Sequence, residues 1–171
     1  MKFTLYFIFL LFTQPLLCQD IEWSEERKLD FSDFKRISFT EDGFSSAESS
    51  VAINFRIVST SIWTGKIKIK IFAVFNSENS WFRKEQSSNI YVLNHEQKHF
   101  DVAYAFATQL QKTVDKEIRG ITDFNNRFQK LYDKAFAEYI AFQTKYDLDT
   151  GHGSNLEEQI KYNDIISKMI K

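Results

Sequence analysis

From Asn89 onward the apolar residues of this chain recur at three- and four-residue steps, as Val92, Val102, Phe106, Leu110 and Val114, and His95 and His99 fall on the same stripe. This is the period of an amphipathic helix. It places both imidazoles on the inward face, one turn apart and pointing to the same side. Ser87 or Ser88 can cap the start of this helix, and Gly120 can take the left-handed position beyond its end. Thr122 can then cap a second helix running through Phe124, Phe128, Leu131, Ala135, Tyr139 and Phe142. Tyr146 to Gly153 reads as a loop. Ser154-Asn155-Leu156-Glu157 has the spacing of a capping box and opens a last helix to about Met169.

The first half of the chain has a different period. Val51, Ile53, Phe55 and Ile57 alternate with Ala52, Asn54 and Arg56, and Ile67, Ile69, Ile71 and Ala73 alternate with Lys66, Lys68, Lys70 and Phe72. Both runs are strands with one apolar face. Arg36 to Thr40 is a weaker strand candidate. Three lysines on one face of a strand indicate a solvated or edge strand. Strands followed by helices predict an α+β domain. The 171 residues, with 18 Phe, 7 Tyr and 3 Trp, suffice for one such domain with a substantial core.

The N-terminus reads as a signal peptide over residues 1–18, leaving residues 19–171 as the domain. Lys2 precedes the almost wholly apolar run Phe3 to Phe12, which is too short to span a bilayer and leads into polar sequence. The expected destination is outside the cytoplasm, either secreted or in the periplasm and cell envelope. The sole cysteine, Cys18, lies at the expected cleavage point. A lipid anchor there is the lesser alternative, because Leu17 stands where lipid-modified cysteines usually follow a small residue. Without residues 1–18 the formal charge goes from −1 to −2, since Lys2 is the only charged group removed. The mature body has no cysteine for a disulfide. No basic stripe or acidic block points to nucleic acid or an anionic membrane surface, and no stable membrane span is expected.

His95-Glu96-Gln97-Lys98-His99 is an HExxH pattern, and it uses two of only three histidines in the chain. Two imidazoles four residues apart on a helix can reach one tetrahedral Zn2+ ion. Glu96 need not bind the ion. It can instead take a proton from a zinc-bound water and deliver it to a leaving amine. Structural zinc sites usually fill four positions, mostly with cysteine, so a mature chain with no thiolate points to an open, catalytic site. A third ligand is needed. Phe100 to Ala107 contains neither Gly nor His, which leaves Glu117 and Glu138 on following helices and His152 in the Gly151-His152-Gly153 loop. His152 is the expected ligand, because flanking glycines let a backbone approach a site closely.

Leu93-Asn94-His95-Glu96-Gln97-Lys98-His99-Phe100-Asp101 resembles the HEQxHFD signature of a family of predicted secreted bacterial zinc-dependent proteases, catalogued as a domain of unknown function. Leu29-Asp30-Phe31-Ser32-Asp33-Phe34 resembles its early L-x-W-x-D-F element, with Phe31 in place of Trp. Thr150-Gly151-His152-Gly153 and Gln159 resemble its T-x-H-G…Q element, and Tyr162 stands where the family often has Trp. The likeness runs from about Leu29 to the last helix. It implies an outer-shell role for Asp101, orienting a ligand histidine. Tyr146 and Tyr162 become candidates for stabilising an oxyanion.

Together these features predict a zincin-like α+β domain, with a small antiparallel sheet packed on the HExxH helix and two further helices closing the site. The expected activity is hydrolysis of peptide bonds in a peptide or protein substrate lying along an exposed strand edge, with the Gly65 to Phe75 strand as the candidate. Readings from other classes are a non-catalytic metal-bearing binding module and a zinc amidase acting on cell-wall amides. Export should remove the N-terminus near Cys18. Intact-mass analysis of the exported protein should then show a chain beginning at about Gln19, or a diacylglyceryl adduct on Cys18; a chain still beginning at Met1 would contradict both.

Overall fold

The computed structural model describes residues 20–37 and 46–171. The apolar N-terminal run, its cleavage point and residues 38–40 of the weaker strand candidate lie outside them. In chain order the elements are β1 (Ile21–Glu22), β2 (Arg36–Ile37), β3 (Ala47–Glu48), β4 (Val51–Thr60), β5 (Ile67–Phe75), β6 (Trp81–Phe82), α1 (Ile90–Glu117), α2 (Ile121–Asp123), α3 (Gln129–Thr150) and α4 (Leu156–Met169). The class is α+β, as the change of period predicts.

The two alternating runs pair as an antiparallel hairpin, with Ile53 opposite Ala73, Phe55 opposite Ile71 and Ile57 opposite Ile69. That register puts Ile53, Ile69, Ile71, Ala73 and Phe75 into the core beneath α1. Phe100, Ala103, Ala107, Leu110 and Val114 of α1 belong to the same buried cluster. A second small sheet, in the order β2-β6-β3, holds Trp81 and Phe82 buried beside it.

The lysine-bearing strand is central, not an edge. β5 lies between β1 and β4. Where β1 stops, the side chain of Gln111 takes over: its Oε1 accepts from Ile71 N at 2.7 Å and its Nε2 donates to Ile69 O at 3.2 Å. Part of the main-chain edge an extended substrate would need is therefore already engaged, and the Gly65 to Phe75 strand lines no part of the candidate site described below. The free edge of β4 is covered in the same manner near its start. Tyr139 donates to Val51 O at 3.2 Å and Tyr132 to Ile53 O at 2.6 Å.

α1 spans 28 residues, about 42 Å at 1.5 Å per residue. Its cap is Asn89, whose side chain accepts from Tyr91 N and Val92 N, so neither Ser87 nor Ser88 serves. Gly120 is not the left-handed residue expected after this helix. Its φ is −166°, and its glycine identity has another cause: a Cβ there would lie 2.7 Å from Gly65 O. The hairpin turn presses on this linker, and Ile121 N donates to Gly65 O at 2.8 Å. Thr122 is not a cap either; α2 follows Gly120 with no side-chain cap and passes through a widened turn, Phe124–Phe128, into α3.

α3 also runs further than expected, through Thr150, so Tyr146 to Thr150 is helix and not loop. Tyr139, Gln143, Tyr146 and Thr150 are buried along it at helical spacing, and Gly151 at φ 52° supplies the left-handed stop. α4 starts one residue later than the capping-box spacing suggests, with Asn155 accepting from Glu158 N. Among the described residues no helix is long and apolar enough to cross a membrane.

Candidate metal centre

α1 places His95 and His99 on its buried side, and α3 brings Asp147 to meet them. The donor atoms form a nearly equilateral triangle: His95 Nε2 to His99 Nε2 is 3.2 Å, His95 Nε2 to Asp147 Oδ1 is 3.2 Å, and His99 Nε2 to Asp147 Oδ1 is 3.0 Å. An ion bound tetrahedrally at about 2.0–2.1 Å sets its donors roughly 3.3–3.4 Å apart. The triangle fits such an ion closely, and these three residues could hold one.

The far side of each ring supplies a stronger test. His95 Nδ1 lies 3.0 Å from Gln159 Oε1, and His99 Nδ1 lies 2.7 Å from Gln143 Oε1. An amide oxygen only accepts, so each Nδ1 carries a proton, and the neutral tautomer that fits this bond directs its Nε2 lone pair inward. The glutamines are themselves fixed. Gln143 Nε2 donates to His99 O and to the hydroxyl of Tyr139, while Gln159 Nε2 donates to the hydroxyl of Tyr146 and to Asn163 Oδ1. Two lone pairs and a carboxylate oxygen thus converge on one point, which calls for a cation there.

The titration of these groups follows from that crowding. Burial disfavours the charged form of His99, but the Asp147 bond, the Glu96 carboxylate and Gln143 outweigh it and raise its pKa. Burial likewise opposes the charge on Asp147, yet the bonds from His95 and His99 hold its carboxyl far below the usual range. A proton can therefore occupy the space that a metal ion would take, and the two compete.

Glu96 is 3 % exposed, and among the described residues its Oε2 has no hydrogen-bond partner. It lines a cleft of about 330 Å³ together with His95, His99, Asp147, Gln143 and His152, closed on the other side by Ser46, Ala47, Glu48, Ser49 and Val51. A buried carboxylate oxygen left unbonded is costly unless it serves a ligand.

His152 does not complete the triangle. Because α3 continues to Thr150, His152 sits at the rim, with its side chain 56 % exposed and its Nδ1 3.7 Å from Asp147 Oδ1. Gly151, His152 and Gly153 take φ values of 52°, 53° and 80° in succession. For His152 this left-handed conformation costs about 1–2 kcal/mol. The turn is held by His152 N donating to Asp147 O and Asn155 N donating to Thr150 O. A Cβ on Gly153 would lie 2.9 Å from Cγ of His95, so only glycine lets the loop close on that ring. Glu117 and Glu138 lie elsewhere, paired with Arg127 and Lys134 respectively.

The expected roles of the remaining residues change too. Asp101 is fully buried, but its carboxylate accepts from Trp23 Nε1, Gln97 Nε2 and Lys98 Nζ at 2.7–2.9 Å and touches neither histidine. It ties the N-terminal strand to α1, and Gln143 and Gln159 orient the rings instead. Tyr146 lies behind the site: its ring stacks on His95 at 4.7 Å and its hydroxyl donates to His95 O. Burial, with Glu96 and Asp147 nearby, drives its pKa upward, away from any readily ionised phenol. Tyr162 donates to Asp149 Oδ2. Neither tyrosine lines the cleft. Reasoning from sequence missed Asp147 and Gln143; the signal was the spacing Gln143, Tyr146, Asp147 and Thr150, one helical face.

The chain matches no family model, and neither the curated proteins nor the solved structures contain a significant match to it.

With zinc as the probe ion, Asp147→Asn should lower affinity by more than about a hundredfold. Gln143→Ala or Gln159→Ala should cost about 10–100-fold, the usual effect of losing a group that orients a ligand. His152→Ala should cost less than about tenfold, and affinity of the native chain should fall as the buffer is made acidic. Calorimetric titration ranks the variants; a larger loss in His152→Ala than in Asp147→Asn would give His152 the third position.

Proposed function

We propose that this protein is an exported zinc-dependent peptidase of zincin-like type. The observation that carries the reading is the unpartnered, buried Glu96 Oε2 beside three convergent metal donors in an open cleft. The HEQxHFD resemblance supports it. Zinc fits a site made of two imidazoles and one carboxylate, and once bound it polarises a carbonyl and acidifies water.

The chain's own residues supply the rest. Glu96 accepts a proton at Oε2 from the attacking water and returns it to the departing amine, as a positioned carboxylate does in general acid–base catalysis. Gln143 and Gln159 hold the rings of His99 and His95 so that neither Nε2 can turn away. Asp147 supplies the third donor from a separate helix. The substrate lies along β3. Arg83 N bonds Ser46 O on the β6 side, so the alternation of an antiparallel pair turns the N–H and C=O of Ala47 away from β6. An extended peptide can pair with them along the Ser46 to Ser49 wall of the cleft.

Glu96→Gln preserves shape but cannot accept the proton. It should keep its zinc while peptide hydrolysis drops about 10²–10⁴-fold. A mixed peptide library read by mass spectrometry, with zinc content measured on the same samples, checks this. Undiminished turnover in the variant would assign the base elsewhere. A zinc-loaded native chain that cleaves no peptide would leave a binding module or an amidase.

A further inference from the structure

We propose that the far end of the β4–β5 hairpin is a docking surface for an anionic bilayer. At its turn Ile62 is 83 % exposed and Trp63 93 %, and Ile57 and Val58 behind them are about half exposed. Scattered apolar side chains on a surface are ordinary. Here they share one projecting tip with a one-sided charge. Between Ser49 and Ser77 the chain carries Arg56, Lys66, Lys68 and Lys70 and no carboxylate, although the chain as a whole is at −1.

The charges divide by position. Arg56 and Lys70, opposite one another in the register, are both bonded to Glu22. Lys66 and Lys68, nearer the tip, are exposed and have no ion pair among the described residues. Asp115, which shares a shallow groove with Lys68 and Lys70, accepts from Gln111 at 2.8 Å. The sequence shows three of these cations alternating along one strand, and Arg56 stands on the other. The hairpin gathers them.

The tip is held in place. Ser61 N donates to Lys66 O at 2.9 Å, Thr64 N to Ser61 Oγ at 3.3 Å, and Ile121 N to Gly65 O at 2.8 Å, so the turn is braced against the α1–α2 linker. A braced tip presenting Trp and Ile, with free lysines three and five residues beyond Trp63, has the chemistry of an interfacial anchor: the apolar side chains enter the headgroup boundary and the lysines meet anionic lipid. Two side chains are too small for a stable protein interface, which takes about 20–30 residues a side. Two copies meeting tip to tip would bring like charges together. β4 runs from Val51, at the cleft, to Thr60, at the tip, roughly 30 Å at 3.3 Å per residue. Docking by the tip leaves the cleft open to solvent, and the proposal stands independently of the hydrolytic reading.

The test uses the full chain with vesicles of phosphatidylcholine alone and with phosphatidylglycerol added. Because the apolar N-terminal run can itself partition, the readout is local: quenching of Trp63 by brominated lipid, identified by its loss in Trp63→Phe. Trp81 is buried and Trp23 is stacked on Tyr104, so both stay out of reach of lipid. Quenching should appear on the anionic vesicles, be much weaker on neutral ones, and need about fivefold more lipid for each of Lys66→Gln and Lys68→Gln. Zinc uptake should be the same in all these variants. Absence of Trp63 quenching on anionic vesicles, or equal quenching on neutral ones, would overturn the proposal. So would a concentration-dependent dimer that shields Trp63 without lipid, which would assign the tip to a second copy.

Discussion

Three potential metal-donor atoms lie about 3 Å apart at the centre of this structure, and much of the surrounding architecture serves to keep them there. Left alone, His95 Nε2, His99 Nε2 and Asp147 Oδ1 would repel, and the imidazoles could relieve the repulsion by turning. Gln143 and Gln159 prevent this by holding the opposite nitrogens. A cation, whether a metal ion or a proton, is the group that satisfies such an arrangement.

Three helices contribute to this constraint. α1 provides both histidines at a fixed one-turn separation. α3 provides Asp147 and Gln143, themselves one turn apart, so that ligand and orienting group move as one. α4 provides Gln159, and the Gly151 to Gly153 turn lets α4 fold back until Gly153 rests on the His95 ring. The sheet has a separate task. It covers the apolar face of α1, while β3 of the second sheet forms the wall opposite the donors. Asp101, buried against Trp23, joins the two halves of the chain behind the site.

Much of this was legible in the sequence wherever it is local. The change from period two to period 3.6 gave the α+β class, and residues four apart on one helix announced the histidine pair. Asp147 was hidden for two reasons. It lies 52 residues from His95, and no local rule connects them. The end of its own helix is also masked, because Asp147-Leu148-Asp149-Thr150-Gly151 looks like polar loop sequence, and the buried face continuing α3 contains Gln143 and Thr150, which an apolar period does not mark. The glycines beside His152 suggest reach in the sequence, whereas in the structure they shape a turn at the rim. The caps shifted by one or two residues, to Asn89 and Asn155, in keeping with the side-chain oxygen that Asn shares with the expected serines.

The central claim is that His95, His99 and Asp147 together hold one metal ion. The most direct measurement is a crystal structure of the zinc-soaked protein with anomalous data collected at the zinc edge. A single peak at about 2.0–2.2 Å from both Nε2 atoms and from the Asp147 carboxylate is the predicted result. A peak held by His152 in place of Asp147, or no peak between the two histidines, would contradict it.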